Sequence, residues 1–129
     1  MTDPPSALVV AAVDDDTGIL RSLAYLLESA DYHVRLFTSA AAFMYSDCLR
    51  DIDCLISDID MPGTDGFELL RLVDAARPRL PTILITGYPD RLKQLPPLTG
   101  SRPRFFIKPF NGSEILTAIG DAIRDARQT

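Results

Sequence analysis

Residues 7–16 read Ala7-Leu8-Val9-Val10-Ala11-Ala12-Val13-Asp14-Asp15-Asp16, seven apolar residues that give way abruptly to three carboxylates. A short continuous apolar run of this kind suits a strand buried on both faces, as in a parallel sheet. The acidic end marks where that strand leaves the core. Ile19, Leu20, Leu23, Leu26 and Leu27 then recur at helical spacing, with Asp16 or Thr17 available to cap the helix they predict.

The alternation continues down the chain. His33 to Phe37 and Cys54 to Asp58 read as strands, Ser39 to Arg50 and Phe67 to Arg77 as helices, with Pro78 helping to end the second of these. Pro81 to Thr86 and Arg104 to Lys108 add two strands. Ile115, Leu116, Ile119, Ala122 and Ile123 form the stripe of a last helix, which Asn111 and Glu114 would cap. Five strands alternating with helices predict an α/β fold, a doubly wound parallel sheet with right-handed crossovers. In such sheets, ligands sit beyond the carboxyl ends of the strands.

Composition agrees with one soluble domain spanning 1–129, with residues 1–6 as a flexible N-terminus. A chain of 129 residues can bury a core without disulfides, and 47% hydrophobic with 24% charged residues is ordinary globular usage. The net charge of -5, without a basic run, argues against nucleic-acid binding by this segment. Cys48 and Cys54 lack redox or zinc spacing and read as reduced, buried thiols, while His33 reads as a strand residue rather than a phosphorelay histidine. Ala7 to Val13 is far too short to cross a bilayer, and Met1-Thr2-Asp3-Pro4-Pro5 lacks the basic start of a signal peptide. A cytoplasmic protein without membrane association is expected.

The strand ends carry Asp14 and Asp15, then Asp58, Thr86 and Lys108. Gathered by the fold, three carboxylates would repel, so either their pKa values rise or a cation joins them. Magnesium suits a carboxylate pocket that offers no His or Cys ligand and must leave room for a phosphoryl oxygen. Lys108 adds a point charge suited to phosphate, and Thr86 a hydroxyl donor.

Val13-Asp14-Asp15-Asp16, Asp58-Ile59-Asp60-Met61-Pro62 with Asp65-Gly66, Ile85-Thr86-Gly87 and Phe106-Ile107-Lys108-Pro109-Phe110 resemble, in order and spacing, the signatures of response-regulator receiver domains, and especially the branch of nitrogen-fixation transcriptional regulators. The similarity runs from about Leu8 to Ala126. It implies the flavodoxin-like strand order 2-1-3-4-5, a cis Lys108–Pro109 bond, and a two-component switch in which Asp58 accepts a phosphoryl group from a sensor histidine kinase. The receiver would catalyse its own phosphorylation and slow dephosphorylation, without turning over an external substrate. Asp15 and Asp58 would bind Mg²⁺ directly, Asp14 through water, and Asp60 through its carbonyl. Thr86 and Lys108 would hold the phosphoryl oxygens, with Gly87 leaving room for them. Phe105 stands where the family has a rotating aromatic. Downstream lies either a separate protein or a covalently linked output domain.

Two departures stand out. The family places a full helix between Thr86 and Lys108, where this chain has Pro89, Pro96, Pro97, Gly100 and Pro103. A proline inside a helix costs about 3 kcal/mol. Asp90 to Leu95 leaves room for a short helix only, so the fourth helix is expected to be truncated or displaced and the output face unusual. Secondly, Asp60 adds an acidic side chain two residues after the acceptor and, with Tyr88, is expected to tune dephosphorylation. Two rival functions are a phosphorylation-independent interaction module and a haloacid-dehalogenase-type phosphatase built on Asp58-Ile59-Asp60. The intact acidic set argues against the first. Pro62 and the short remaining sequence argue against the second.

Overall fold

The computed structural model describes residues 7–61, 66–100 and 102–128. β1 (Val9–Val13), β2 (His33–Phe37), β3 (Cys54–Asp58), β4 (Thr82–Thr86) and β5 (Arg104–Ile107) pair side by side in parallel, in the order 2-1-3-4-5. β1, β3 and β4 form the interior of the sheet, and Val10 through Val13 are at most 1% exposed. The uninterrupted apolar run is therefore the signature of a strand with both faces covered.

Side-chain alternation sorts these strands onto two faces. Val10 and Ala12 of β1, Cys54 and Ile56 of β3, and Ile83 and Ile85 of β4 pack against α1 (Thr17–Ser29) and the C-terminal helix α4 (Gly112–Arg127). Ala11, Val13 and Leu55 face the other way, onto α2 (Ala40–Tyr45) and α3 (Gly66–Ala76). The caps fall where the sequence places them. Asp16 Oδ1 accepts from the N–H groups of Gly18 and Ile19, and Asn111 Oδ1 from that of Glu114.

The helix expected over Ser39 to Arg50 is broken. It ends at Tyr45, and a 3₁₀ turn, η1 (Cys48–Arg50), follows. Ser46 causes the break by donating its hydroxyl to the Phe43 carbonyl and accepting from the Cys48 N–H, in competition with the helical ladder. Asp47 then takes a left-handed conformation with φ 60°, which buries Cys48 in the core beside α2. Cys54 is buried as well, and burial pushes its thiol up to about 12.

The truncated fourth helix is found as expected, although as a 3₁₀ segment rather than an α-helical turn. η2 (Pro89–Gln94) opens on Pro89 and ends at Leu95, whose extended backbone is what a following proline favours. Leu92, Leu95 and Leu98 take the place of a helical stripe, packing on Ile59, Phe67, Leu70 and Leu84. Asp74 on α3 ties the far end of this crossover. Its carboxylate accepts from the N–H and hydroxyl of Thr99 and from the Gly100 N–H, and these hydrogen bonds hold its pKa below the usual value.

Residues 1–6, Pro62 and Asp65 lie outside the described residues. No helix among the described residues is long and apolar enough to cross a membrane.

Candidate functional site

The parallel ladder continues one step beyond several strands, and those steps build the site. The Asp14 N–H donates to the Phe37 carbonyl, Ile59 to Ile85, and Lys108 to Thr86. The strand register aligns Asp58 with Ile85 and Thr86 with Ile107. Asp14, Asp58, Thr86 and Lys108 therefore emerge at one end of the sheet. The Lys108–Pro109 bond is cis. At Gly66 the first turn of α3 comes so close to the β3 end that a Cβ there would lie 2.7 Å from the Asp58 carbonyl oxygen.

Asp14, Asp15 and Asp58 each present a carboxylate oxygen within 4.8 Å of the others. Asp14 and Asp58 are buried and Asp15 is exposed, so the cluster opens to solvent on one side. Lys108 Nζ donates to Asp58 Oδ2 at 3.1 Å and lies 3.3 Å from Asp14 Oδ2. The second approach is an ion pair without hydrogen-bond alignment, and it leaves buried Asp14 Oδ2 without a hydrogen-bond donor. The other oxygens are fixed by the backbone, with Asp14 Oδ1 accepting from the Asp16 N–H and Asp58 Oδ1 from the Asp60 N–H, both at 2.9 Å.

Burial is the chief cause lifting Asp14 from 3.8 to about 6. The Asp16 N–H opposes that rise, the Asp58 charge adds to it, and Lys108 opposes it again. For Lys108, burial acts to lower the pKa, but the hydrogen bond to Asp58 and the charges of Asp14 and Asp58 outweigh it and raise the group above 10.5. Two buried carboxylates sharing one ammonium, with a third carboxylate at the rim, form an all-oxygen donor set with excess negative charge. That set fits a hard divalent cation, and the open Asp14 Oδ2 is an acceptor that such an ion or its water could use.

Thr86 and Asp60 meet in a way the sequence did not reveal. The Thr86 hydroxyl donates to Asp60 Oδ2 at 2.7 Å, and the Gly87 N–H reaches the same oxygen at 3.1 Å. Asp60 Oδ1 lies 3.5 Å from Arg91 Nη1, and the Arg91 guanidinium stands 5.2 Å over the Phe67 ring. The Asp60 carboxylate is thus engaged by Thr86, Gly87 and Arg91 and is not one of the three that gather within 4.8 Å. The metal contact expected of Asp60 is its backbone carbonyl and not this carboxylate. Tyr88 is largely exposed and contributes its N–H to Thr86 Oγ1 at 2.9 Å. Arg91 was absent from the expected site, and no local spacing links it to Asp60, 31 residues earlier.

The chain is also similar to known proteins along most of its length. The family model of the response regulator receiver domain matches residues 10–120. The transcriptional regulatory protein FixJ of Azorhizobium caulinodans is 35% identical over 125 residues, covering 96% of this chain and 59% of that protein. FixJ of Bradyrhizobium diazoefficiens is 34% identical, covering 91% and 57%. The chain thus spans less than three fifths of the length of these curated relatives. Among solved structures, the signal receiver domain of an HD domain-containing protein from Pseudomonas fluorescens Pf-5 superposes with a TM-score of 0.85 at 27% identity, covering 95% of this chain and 99% of that one. A CheY-like receiver domain protein from Methanospirillum hungatei JF-1 gives 0.80 at 26%, covering 95% and 98%. The family model covers most of the chain and the fold matches solved receiver domains, and the chain belongs to the family of response regulator receiver domains of two-component systems.

Proposed function

We propose that this receiver is a phosphorylation switch whose acceptor is Asp58 and whose phosphodonor is the phosphohistidine of a sensor histidine kinase. An ionised Asp58 oxygen attacks phosphorus in line, the P–N bond breaks, and the imidazole leaves with the bonding pair, giving an acyl phosphate. The observation that carries this reading is the convergence of Asp14, Asp15 and Asp58 within 4.8 Å, with Lys108 Nζ 3.1 Å from Asp58. Lys108 is positioned to neutralise a phosphoryl oxygen, and Thr86 to donate its hydroxyl to another. Asp15 and Asp58 would hold Mg²⁺ directly, Asp14 through water, and Asp60 by its carbonyl. When bound, the ion neutralises charge on the transferring group. The chain catalyses this transfer and the slow hydrolysis of the acyl phosphate, in which water takes the phosphoryl group as inorganic phosphate and frees the Asp58 carboxylate. The phosphorylated form signals to a downstream protein or a linked output domain.

The phosphatase alternative needs the Asp60 carboxylate free to act as a general acid, yet that carboxylate is engaged by Thr86, Gly87 and Arg91. Incubation with Mg²⁺ and acetyl phosphate, followed by intact mass, tests the proposal. Addition of one phosphoryl group that requires Mg²⁺ and is absent in Asp58→Asn is expected. A folded wild type that gains nothing would favour the interaction module, and steady phosphate release without an adduct the phosphatase.

A further inference from the structure

Thr86 Oγ1 has two acceptors within reach, Asp60 Oδ2 at 2.7 Å and the Tyr88 carbonyl at 3.3 Å. A hydroxyl carries one proton, and the shorter contact to a charged oxygen takes it. The adjacent Gly87 N–H converges on that same carboxylate oxygen. One anionic oxygen thus gathers the hydroxyl that a phosphoryl group on Asp58 would recruit, together with the neighbouring backbone donor. A carboxylate and a phosphoryl group present the same chemistry to such donors, anionic oxygens that accept. Neither the Thr86 O–H nor the Gly87 N–H can serve both in full.

The second Asp60 oxygen faces Arg91, which is carried by η2 and rests on the Phe67 ring of α3. Asp60 is therefore joined on one side to the phosphoryl-binding donors and on the other to the segment standing where the family has its fourth helix. Resting on the reading of Asp58 as phosphoacceptor, we propose that the Asp60 carboxylate is a resident stand-in for the phosphoryl group. It positions Thr86 and Gly87 in the unmodified protein, is displaced when phosphate arrives, and in moving breaks its pair with Arg91 and so reports occupancy to Pro89–Gln94.

Beryllofluoride with Mg²⁺, titrated into the wild type, Asp60→Ala, Asp60→Asn and Arg91→Ala while backbone amides are followed by NMR, tests this. Asp60→Asn keeps the shape of the side chain and guards against loss of fold in Asp60→Ala. With no charge-assisted contacts to displace, Asp60→Ala should bind the mimic about tenfold more tightly, with Asp60→Asn between it and the wild type. In the mimic-free protein, the Gly87 amide proton should move upfield when Asp60 is replaced. Arg91→Ala should still bind the mimic but lose the accompanying shifts in the amides of Asp90 to Gln94. Wild-type affinity in Asp60→Ala, an unmoved Gly87 amide, or η2 shifts that survive Arg91→Ala would overturn the proposal and leave the acceptor role of Asp58 standing. A wild type that does not respond to the mimic would remove both.

Discussion

Replacing Asp14 with Asn should make the metal-free protein more stable at neutral pH, although Asp14 belongs to the proposed metal site. Asp14 is 1% exposed, and its pKa is raised from 3.8 to about 6. At 1.36 kcal/mol per pH unit, that rise means the folded state holds the charged form at a penalty of about 3 kcal/mol, already net of the attraction to Lys108. The sign follows from linkage. Between pH 3.8 and about 6 the folded state binds the extra proton, so stability falls as pH rises through this window and stays low above it. Asn does not titrate, and its Oδ1 can still accept from the Asp16 N–H. The amide also brings N–H groups into a pocket shared with an ammonium, which offsets part of the gain. Asp14→Asn should therefore be about 1–3 kcal/mol more stable than wild type in chelator near neutral pH, and the difference should vanish once acid protonates Asp14 in both states. Urea unfolding at the two pH values measures it. Saturating Mg²⁺ should close much of this gap, since a ligand at about a hundredfold excess over its Kd adds about 2.7 kcal/mol to a protein that binds it, and less to a variant that has lost one of the site's carboxylates. A variant no more stable than wild type without metal, or a gap that persists in acid, would refute the electrostatic account of this site.

Gly66→Ala should destabilise by about 1–3 kcal/mol or more in equilibrium unfolding, because the new methyl meets the Ile59 Cα and lies 2.7 Å from both the Asp58 carbonyl oxygen and Ile59 Cγ2, and backbone cannot yield as a side chain does. Asp74→Ala should loosen the end of the β4–β5 crossover, seen as faster amide exchange at Thr99 and Gly100 near neutral pH. Because the folded-state pKa of Asp74 is depressed, the wild-type advantage exists above the ordinary carboxylate range and is lost as pH falls through the folded pKa.

Much of the site was legible because its residues lie at strand ends, where a change from apolar to charged is visible in one dimension. Val13 to Asp14 and Ile107 to Lys108 show that change directly, Asp58 shows it across Ser57 from the apolar Cys54-Leu55-Ile56, and five strands alternating with helices leave few ways to arrange them. The break at Ser46 and Asp47 was hidden, because the apolar spacing through Cys48 and Leu49 still suits a helix and the competing hydrogen bond forms only once Ser46 can reach the Phe43 carbonyl. The contacts of Asp60 were hidden for another reason. Its partners lie 26, 27 and 31 residues away in sequence, on elements whose relative placement depends on the register of β3 against β4. The prolines between Pro89 and Pro103 correctly excluded a full helix, but the role of Leu92, Leu95 and Leu98 as anchors emerges only once Ile59, Phe67, Leu70 and Leu84 are gathered to receive them.

The β4–β5 crossover has a consequence in entropy. A helix at this place would move as a unit, since its hydrogen-bonded turns form and melt cooperatively. Here η2 and the residues after it are held by separate points, the Arg91 contact, three leucines and the Asp74 hydrogen bonds. Prolines 89, 96, 97 and 103 restrict the freedom that any released stretch would gain. Each point can let go without melting its neighbours, and little disorder is won by doing so. Such a surface can change shape in small increments, in place of the single concerted step that a packed helix requires.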